Sequence, residues 1–183
     1  VVIDQAAATV GVMSRSVMLS PEVRAALQNA RPVVVHDAKP LMRSLLVDGV
    51  DITSLELDTA IAMYLINPSR SSYTLAAVCA DMLGQEPQAS NESSGQFDFG
   101  GGENSDQLVA DQALFVAALA PVLRQGLSEI GNEKLYQEME NPLVRVLAKM
   151  EHFGIGIDRQ ALTSIRDRLT EETVSLTKSL HLI

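Results

Sequence analysis

The alternation of apolar and polar positions predicts β-structure in the first part of the chain. Apolar runs at residues 1–3 and 8–13 flank polar residues, a pattern typical of a β-hairpin. Residues 33–35 are three consecutive valines, and this β-branched run predicts a short buried strand. Polar side chains follow it directly, from His36 to Lys39, so the strand is predicted to end at a turn of the kind that often carries functional residues.

Apolar residues at helical spacing predict the elements that follow. Ser20 precedes a proline, which is typical of an N-cap and the first position of a helix. Residues 41–46 predict a second helix. Residues 51–57 are interpreted as either a connection or a short strand. Asp58 precedes the helical pattern of residues 59–66, and we expect it to cap that helix rather than to act in catalysis.

The second half of the chain is predicted to be mostly helical. Helical patterns cover residues 74–83 and 108–119, and Pro121 is expected to bend or restart the latter helix. Asn141 is expected to be an N-cap, with a proline in the first turn. A last helix after Asp158 has apolar residues at nearly heptad spacing. Residues 132–158 contain an apolar stripe formed by Leu135, Met139, Leu143, Val146, Leu147 and Met150.

Residues 85–106 differ in composition from the helices on either side. They include several Ser and Asn residues and three consecutive glycines at 100–102. A glycine-rich phosphate-binding loop would follow a strand and end in Gly-Lys-Ser or Gly-Lys-Thr, and this segment has neither feature. We therefore expect a flexible surface insertion.

Composition and charge narrow the class of protein. The chain has 183 residues, 46% of them hydrophobic, which suits one domain or one domain with part of another. The net charge of -9 repels polyanions, so a nucleic-acid contact requires a local basic patch or other parts of a longer protein. The single cysteine, Cys79, lies in an apolar run and is expected to be a core residue. No apolar run reaches about 18 residues and no signal peptide opens the chain, so we expect a cytoplasmic protein without a membrane partner.

The residues from Tyr136 to Asp158 carry a resemblance to a known family. Their order, Tyr-x3-Glu-x-Pro-Leu-x2-Val-Leu-x2-Met-Glu-x2-Gly-x2-Ile-Asp, is similar to the entry into the polymerase domain of bacterial family A DNA polymerases, the DNA polymerase I group. Upstream, Leu57-Asp58-Thr59, the run from Tyr64 to Pro68 and Tyr73-Thr74-Leu75 resemble the middle of that family's 3′-5′ exonuclease domain.

This resemblance implies the fold class and the domains. The fold is expected to be α/β, with an RNase H-like, exonuclease-type sheet and flanking helices in residues 1–130. Long helices of the polymerase thumb entry are expected in residues 131–183, which would be the incomplete start of the polymerase domain.

Two metal-binding positions of the family's exonuclease carry other residues in this chain. The second exonuclease motif, Asn-x-Lys-Tyr-Asp, corresponds to residues 37–41, so Leu41 stands where the metal-binding aspartate is expected. The third motif, Tyr-x3-Asp, corresponds to residues 108–112, so Leu108 replaces the tyrosine and Gln112 replaces the aspartate. The first motif, Asp-x-Glu, is expected to precede Val1.

These replacements predict that exonuclease activity is lost. Two-metal hydrolysis of a phosphodiester requires carboxylates that converge on two divalent ions. Leucine supplies no oxygen, and a glutamine carbonyl is a neutral, weaker ligand for a hard cation. Asp37 and Asp111 are the candidates for displaced ligands. A shift of one residue turns a helical side chain by about 100°, so we expect solvated or capping roles for both and no metal site in this fragment.

Other polar residues suggest weaker candidates for function. Lys39 and Arg43 lie one helical turn apart and are either a phosphate contact or solvated side chains. His36, His152 and His181 have no carboxylate or cysteine at ligand spacing, so surface or hydrogen-bonded roles are expected for them.

The fragment is therefore expected to be a vestigial, catalytically inactive exonuclease-like domain. Its expected role is to support template-directed DNA synthesis by the remainder of the polymerase chain in replication and repair. The resemblance implies that Mg²⁺, DNA binding and nucleoid association belong to the parent polymerase, and that this acidic fragment binds DNA weakly or not at all.

Two alternative functions stay open at this point. One is an active, metal-dependent 3′-5′ proofreading exonuclease that uses displaced carboxylates. The other is a purely helical protein-interaction module, which predicts no strands at residues 1–3, 8–13 or 33–35.

Overall fold

An antiparallel β-hairpin opens the computed structural model, which describes residues 2–4, 9–28, 32–87 and 102–180. Strand β1 (Val2–Asp4) pairs with β2 (Thr9–Gly11), with Val2 opposite Gly11. The predicted hairpin is confirmed, and its turn lies outside the described residues. Because strands are present, the interpretation as a purely helical module is wrong.

A β-α-β unit follows the hairpin and contains the strand predicted at the three valines, which are partly buried. Strand β3 (Val33–Val35) pairs in parallel with β4 (Leu55–Asp58), and helix α3 (Ala38–Leu46) lies between them in sequence. Two parallel strands need such a crossover connection, since a tight turn can join only antiparallel strands. The segment before Asp58, interpreted as a connection or a strand, therefore forms a strand in its second half.

Helices make up most of the rest of the described chain. One of them, the short helix α1, had no counterpart in the sequence prediction. The helices besides α3 are α1 (Arg15–Met18), α2 (Pro21–Gln28), α4 (Thr59–Ile66), α5 (Leu75–Leu83), α6 (Gly102–Glu129), α7 (Glu133–Leu135), α8 (Asn141–Phe153) and α9 (Arg159–Leu180).

Helix α6 corrects two predictions. It begins at Gly102, so the last residues of the predicted insertion at 85–106 are helical, while residues 88–101 lie outside the described chain. The helix also continues through Pro121, which is solvent-exposed, so the predicted restart does not occur.

Two hydrophobic clusters form the core. The first joins α4, α5 and α6 beneath β4, and it contains the buried Cys79, which confirms the predicted core role of that residue. The second joins α3 to α8 through Met42, Leu45, Val144 and Ala148. Burial of such side chains is worth about 1.5 to 3 kcal/mol each before the entropy cost of ordering the chain. The second cluster therefore holds α8 on the β-α-β unit.

One of the described helices is long and apolar enough to cross a membrane, judged by length and composition alone. It is the part of α6 from Asp106 to Glu129. Its residues Leu119, Leu123 and Leu127 are buried in the first hydrophobic cluster. One face of this helix therefore packs against the core.

A π-helical turn, Tyr136–Glu140, joins α7 directly to α8. Asn141 has right-handed helical backbone angles, so it lies inside a continuous helical segment and the predicted N-cap is wrong. Pro142 has no N–H to donate to the preceding turn, and the wider π-turn before it accommodates the missing bond. The helix ends before Gly154, whose φ of 70° belongs to the left-handed region that is typical of the residue after a helix.

The face of the π-turn and α8 that is buried differs from the apolar stripe in the sequence. Tyr136, Val144 and Ala148 are buried and contact the core. Met139 and Met150, which belong to the stripe, are each more than 60% exposed. The face that packs thus contains Tyr136, Val144 and Ala148. Periodicity alone predicted the more apolar face of the segment rather than the face that is buried.

The chain divides into two compact units, Val1–His152 and Phe153–Ile183. The second unit contains α9, which has no buried residues. The predicted division at residue 130 follows family resemblance rather than packing, and it stays a prediction. By packing, the π-turn and most of α8 belong to the first unit.

An ion-pair cluster adds to the packing of α8. Arg145 donates to both carboxylate oxygens of Asp51, at 2.8 and 2.6 Å, and Lys149 Nζ lies 2.6 Å from Asp51 Oδ2. The hydrogen bonds from Arg145, opposed by partial burial and helped by Lys149, lower the pKa of Asp51 to about 2. Asp51 lies in the connection between α3 and β4, so these contacts fasten α8 to that connection.

The Asp51→Asn variant should lower the free energy of unfolding at pH 7 by about 1 kcal/mol, after allowance for the partial exposure of the pair. The folded pKa of Asp51 is below its unfolded value, so the contribution is complete above about pH 4 and is lost as the pH falls towards 2. Urea unfolding of both proteins at pH 7 and about pH 3 measures the difference. Asp167→Asn, in an exposed pair with Arg166, is the control. A difference that stays constant down to about pH 2 would contradict the assignment.

Candidate functional site at the ends of the parallel strands

The two parallel strands end side by side, with Val35 opposite Asp58. Helix α3 begins just after β3, and α4 begins just after β4. Both helix N-termini therefore lie at the same edge of the sheet, which is the position where ligands bind in many open α/β folds. The residues at this edge are His36, Asp37, Asp58 and Thr59.

The Asp58 carboxylate occupies the space between the two helix N-termini. Its Oδ1 accepts hydrogen bonds from the N–H groups of Asp37, Ala60 and Ile61, at 3.1, 2.9 and 3.4 Å. Its Oδ2 accepts from Ala38 N–H at 2.7 Å. The side chain is 1% exposed. The predicted cap of α4 is confirmed, and the same carboxylate also binds the backbone at the start of α3. Both oxygens are engaged by backbone donors, so the arrangement is that of a structural anion.

A buried tyrosine extends this network to the helices that follow α6. Tyr136 Oη accepts a hydrogen bond from Asp58 N–H at 2.7 Å. The hydroxyl donates to Asn141 Oδ1 at 3.4 Å, and Asn141 Nδ2 donates to the carbonyl of Leu55 at 2.7 Å. Burial raises the pKa of Tyr136, so the hydroxyl stays protonated and keeps its proton for Asn141. The π-turn and the start of α8 are thereby bonded to β4.

His36 is a hydrogen-bonded residue of the same edge, as predicted. Its Nδ1 lies 2.8 Å from the Thr59 hydroxyl. Burial lowers the pKa of His36 despite the opposing charges of Asp58 and Asp37, so the ring is neutral at pH 7. Its contacts are those of a packed polar residue.

The two positions where carboxylates are expected lie in different environments. Leu41 is partly buried and packs against the second hydrophobic cluster. Gln112 is exposed on α6. A leucine in apolar packing offers no oxygen to a cation, so the donor set does not fit the two-metal centre that the resemblance implies.

The candidate displaced carboxylates have different neighbours. Asp37 is exposed, and its φ of 55° places its backbone in the left-handed region without a side-chain cap on α3. Asp111 on α6 acts electrostatically on Cys79 of α5, whose thiol pKa is raised chiefly by burial. Within the described chain, no three His, Cys, Asp or Glu side chains are grouped so that they could hold a metal ion.

The two candidate phosphate contacts share one carboxylate. Lys39 Nζ lies 2.7 Å from Glu151 Oε1, and Arg43 Nη1 lies 3.1 Å from Glu151 Oε2. Lys39, followed by Arg43, lowers the pKa of Glu151, so the carboxylate is ionised at neutral pH. These ion pairs connect α3 to the end of α8.

Sequence patterns indicated only part of this site. The Asp58 cap of α4 follows from local spacing, but its bonds to the start of α3 require β3 and β4 to pair. Tyr136 and Glu151 appeared in the sequence only as motif positions, and Asn141 only as an expected N-cap. Their partners lie 78, 86 and 112 residues away along the chain, so no local pattern could identify these contacts.

Comparisons with known proteins agree with this architecture. The family model described as DNA polymerase I, ribonuclease H-like domain, matches residues 1–93. DNA polymerase I of Mycobacterium tuberculosis is 32% identical over 163 residues, which are 84% of this chain and 18% of that protein. DNA polymerase I of Bacillus subtilis is 28% identical over 155 residues, 80% of this chain and 17% of that protein.

A solved structure shares the fold. The POL domain of Pol1 from M. smegmatis, in complex with DNA primer-template and dNTP, matches 83% of this chain and 25% of that chain, with a TM-score of 0.71 and 29% identity. The α/β, ribonuclease H-like fold class is thereby confirmed. The chain spans less than a fifth of the length of these curated relatives.

Replacement of Asp58 by asparagine should lower the free energy of unfolding by about 2 to 4 kcal/mol. The amide keeps the size of the side chain but turns an NH₂ group towards backbone donors that it cannot bind, and those donors are buried. Urea unfolding measures the loss. The matched control is Asp158→Asn, since Asp158 caps only α9 and is exposed. Equal effects of the two substitutions would contradict the dual cap.

The Tyr136→Phe variant should lower the free energy of unfolding by about 1 to 3 kcal/mol, because the buried N–H of Asp58 loses its acceptor while the ring stays in place. The control is Tyr64→Phe, which retains the ring contact of the half-exposed Tyr64 with Tyr73. Chemical denaturation of the two variants gives the comparison. A tyrosine hydroxyl that contributes nothing would leave the two variants equally stable.

Proposed function

Since this chain belongs to the DNA polymerase I family through its ribonuclease H-like domain, we propose that it is an inactive 3′-5′ exonuclease-like domain that supports the polymerase region. The observation that carries the proposal is the pair of replaced carboxylates, Leu41 and Gln112. The role is architectural, and DNA synthesis resides in other parts of the protein.

The environment of Leu41 supports the loss of activity. Its side chain contributes to the hydrophobic cluster that holds α3 and α8 together. An aspartate there would place a charge against apolar neighbours, which is costly unless a metal or a cation compensates it. Leucine at this position therefore favours the packing that a metal-binding carboxylate would weaken.

The contacts of α8 support the architectural role. This helix belongs to the polymerase-entry motif, yet its Val144 and Ala148 pack in the core of the exonuclease-like unit. Asn141, Arg145 and Glu151 add hydrogen bonds or ion pairs to three different parts of that unit. These contacts hold most of α8 within the first compact unit.

The activity of the complete protein is proposed by family membership. We expect template-directed DNA synthesis in replication and repair, with Mg²⁺ in the polymerase site, on DNA bound by the rest of the chain. The similar POL domain of Pol1 from M. smegmatis, in complex with DNA primer-template and dNTP, supports this proposal. For the acidic fragment itself we expect weak or no DNA binding, and for the protein a cytoplasmic, nucleoid-associated location without a membrane partner.

The competing proposal is an active exonuclease that uses Asp37 and Asp111. A two-metal reaction requires both carboxylates to converge on the same ions. Asp37 lies at the start of α3 and Asp111 lies on α6. Within the described chain neither belongs to a group of three His, Cys, Asp or Glu side chains that could hold a metal ion, which favours the inactive domain.

The test is degradation of 5′-labelled single-stranded DNA in Mg²⁺ or Mn²⁺, with the 183-residue chain and with the protein from the complete reading frame. Because the two catalytic positions carry no carboxylate, we expect no shortening above that of a Leu41→Ala control, which removes the side chain without adding an oxygen. Shortening that disappears in Asp37→Ala or Asp111→Ala would overturn the proposal. Separation on a denaturing gel gives the measurement.

A further inference from the structure

The two basic side chains of α3, Lys39 and Arg43, are placed as they would be in a phosphate-binding site, and the Glu151 carboxylate lies between them. Lys39 and Arg43 lie one turn apart on the same helix face, and their cationic groups meet the two oxygens of the single Glu151 carboxylate. A phosphate group presents oxygens in a similar way and takes charge-assisted hydrogen bonds from the same donors. The Glu151 side chain therefore fills the position that a phosphate would take between the two cations.

The three side chains are accessible to a solute. Lys39, Arg43 and Glu151 are 39%, 55% and 38% exposed. Ion pairs at such exposure contribute little stability and exchange readily with solvent and dissolved ions. An external anion could therefore compete with Glu151 for Lys39 and Arg43 without opening the core.

Because the chain is acidic overall, the Lys39–Arg43 pair attracts an anion well only when Glu151 does not partly neutralise it. The net charge is -9, so polyanions are repelled at long range. With Glu151 in place, the local charge of the three side chains is +1, and without its carboxylate it would be +2. The carboxylate thus decides whether this face attracts a phosphate.

We propose that Lys39 and Arg43 form a phosphate-binding site that Glu151 of the same chain masks, so that an external phosphate and the end of α8 compete for the same two cations. This goes beyond the architectural function proposed above and does not depend on it. The ligand class is a phosphate group, from a nucleic-acid strand or from free phosphate. A phosphate bound here would weaken the attachment of the end of α8, and the effect would be reciprocal.

The experiment compares the Glu151→Gln variant with the wild-type 183-residue chain. Binding of a fluorescent single-stranded oligothymidylate is measured by anisotropy at low salt and in EDTA, so that metal-dependent nuclease activity makes no contribution. We expect affinity to rise roughly fivefold, because the phosphate no longer competes with the Glu151 carboxylate for the two cations. The dependence of binding on salt concentration should also become steeper.

Two further variants control for net charge and location. Glu138→Gln removes an equal charge from an exposed pair with Lys134, and its effect should stay below about twofold. Lys39→Gln combined with Arg43→Gln in the Glu151→Gln background should abolish the gain. Urea unfolding of each variant checks that the proteins compared are folded.

A parallel titration with inorganic phosphate identifies the source of the ligand. Binding of both ligands to Glu151→Gln, dependent on Lys39 and Arg43, supports a site for a strand phosphate. Binding of inorganic phosphate alone supports a site for a free phosphate. The proposal is overturned if Glu151→Gln binds neither ligand better than Glu138→Gln does, or if the gain survives loss of the two cations.

Discussion

The Asp58 carboxylate is the contact on which the arrangement of this domain depends. Four backbone N–H groups from the starts of α3 and α4 converge on it, and its own N–H is bonded to Tyr136. Buried N–H groups at helix ends need acceptors, and one side chain supplies them for two helices at once. Asp58 thus connects β4 to the starts of α3 and α4 through its carboxylate and to the π-turn through its N–H.

Because of that contact, the fold at this edge of the sheet does not depend on a bound metal ion. The edge of the sheet where a nuclease would hold its metals is organised by backbone hydrogen bonds to Asp58, and metal ligands take no part in them. The geometry of the β-α-β unit therefore does not depend on a carboxylate at residue 41 or residue 112. Metal coordination needs several oxygens at defined positions, whereas the frame needs one buried anion and a packed core.

Helix α8 lies in the segment that resembles the polymerase entry, but it packs with the part of the chain that resembles the exonuclease domain. Its motif belongs to the polymerase entry, but its small residues pack on α3 and its charged residues bond to α3 and to the connection after it. Apolar residues on its other side, such as Met150, are exposed in this chain. The segment that resembles the polymerase entry thus packs, up to His152, within the first compact unit.

The sequence by itself determined the local elements and the family. The hairpin, the strand at the three valines, the Asp58 cap and the core position of Cys79 all depend on neighbouring residues or on composition, and the motifs were sufficient for the α/β, ribonuclease H-like fold. Tertiary structure alone decided the second set of bonds to Asp58, the helical role of Asn141, the buried face of α8 and the pairing of Glu151 with Lys39 and Arg43. Each of these depends on groups brought together from distant parts of the chain, and periodicity along one segment carries no information about which partner its faces will meet.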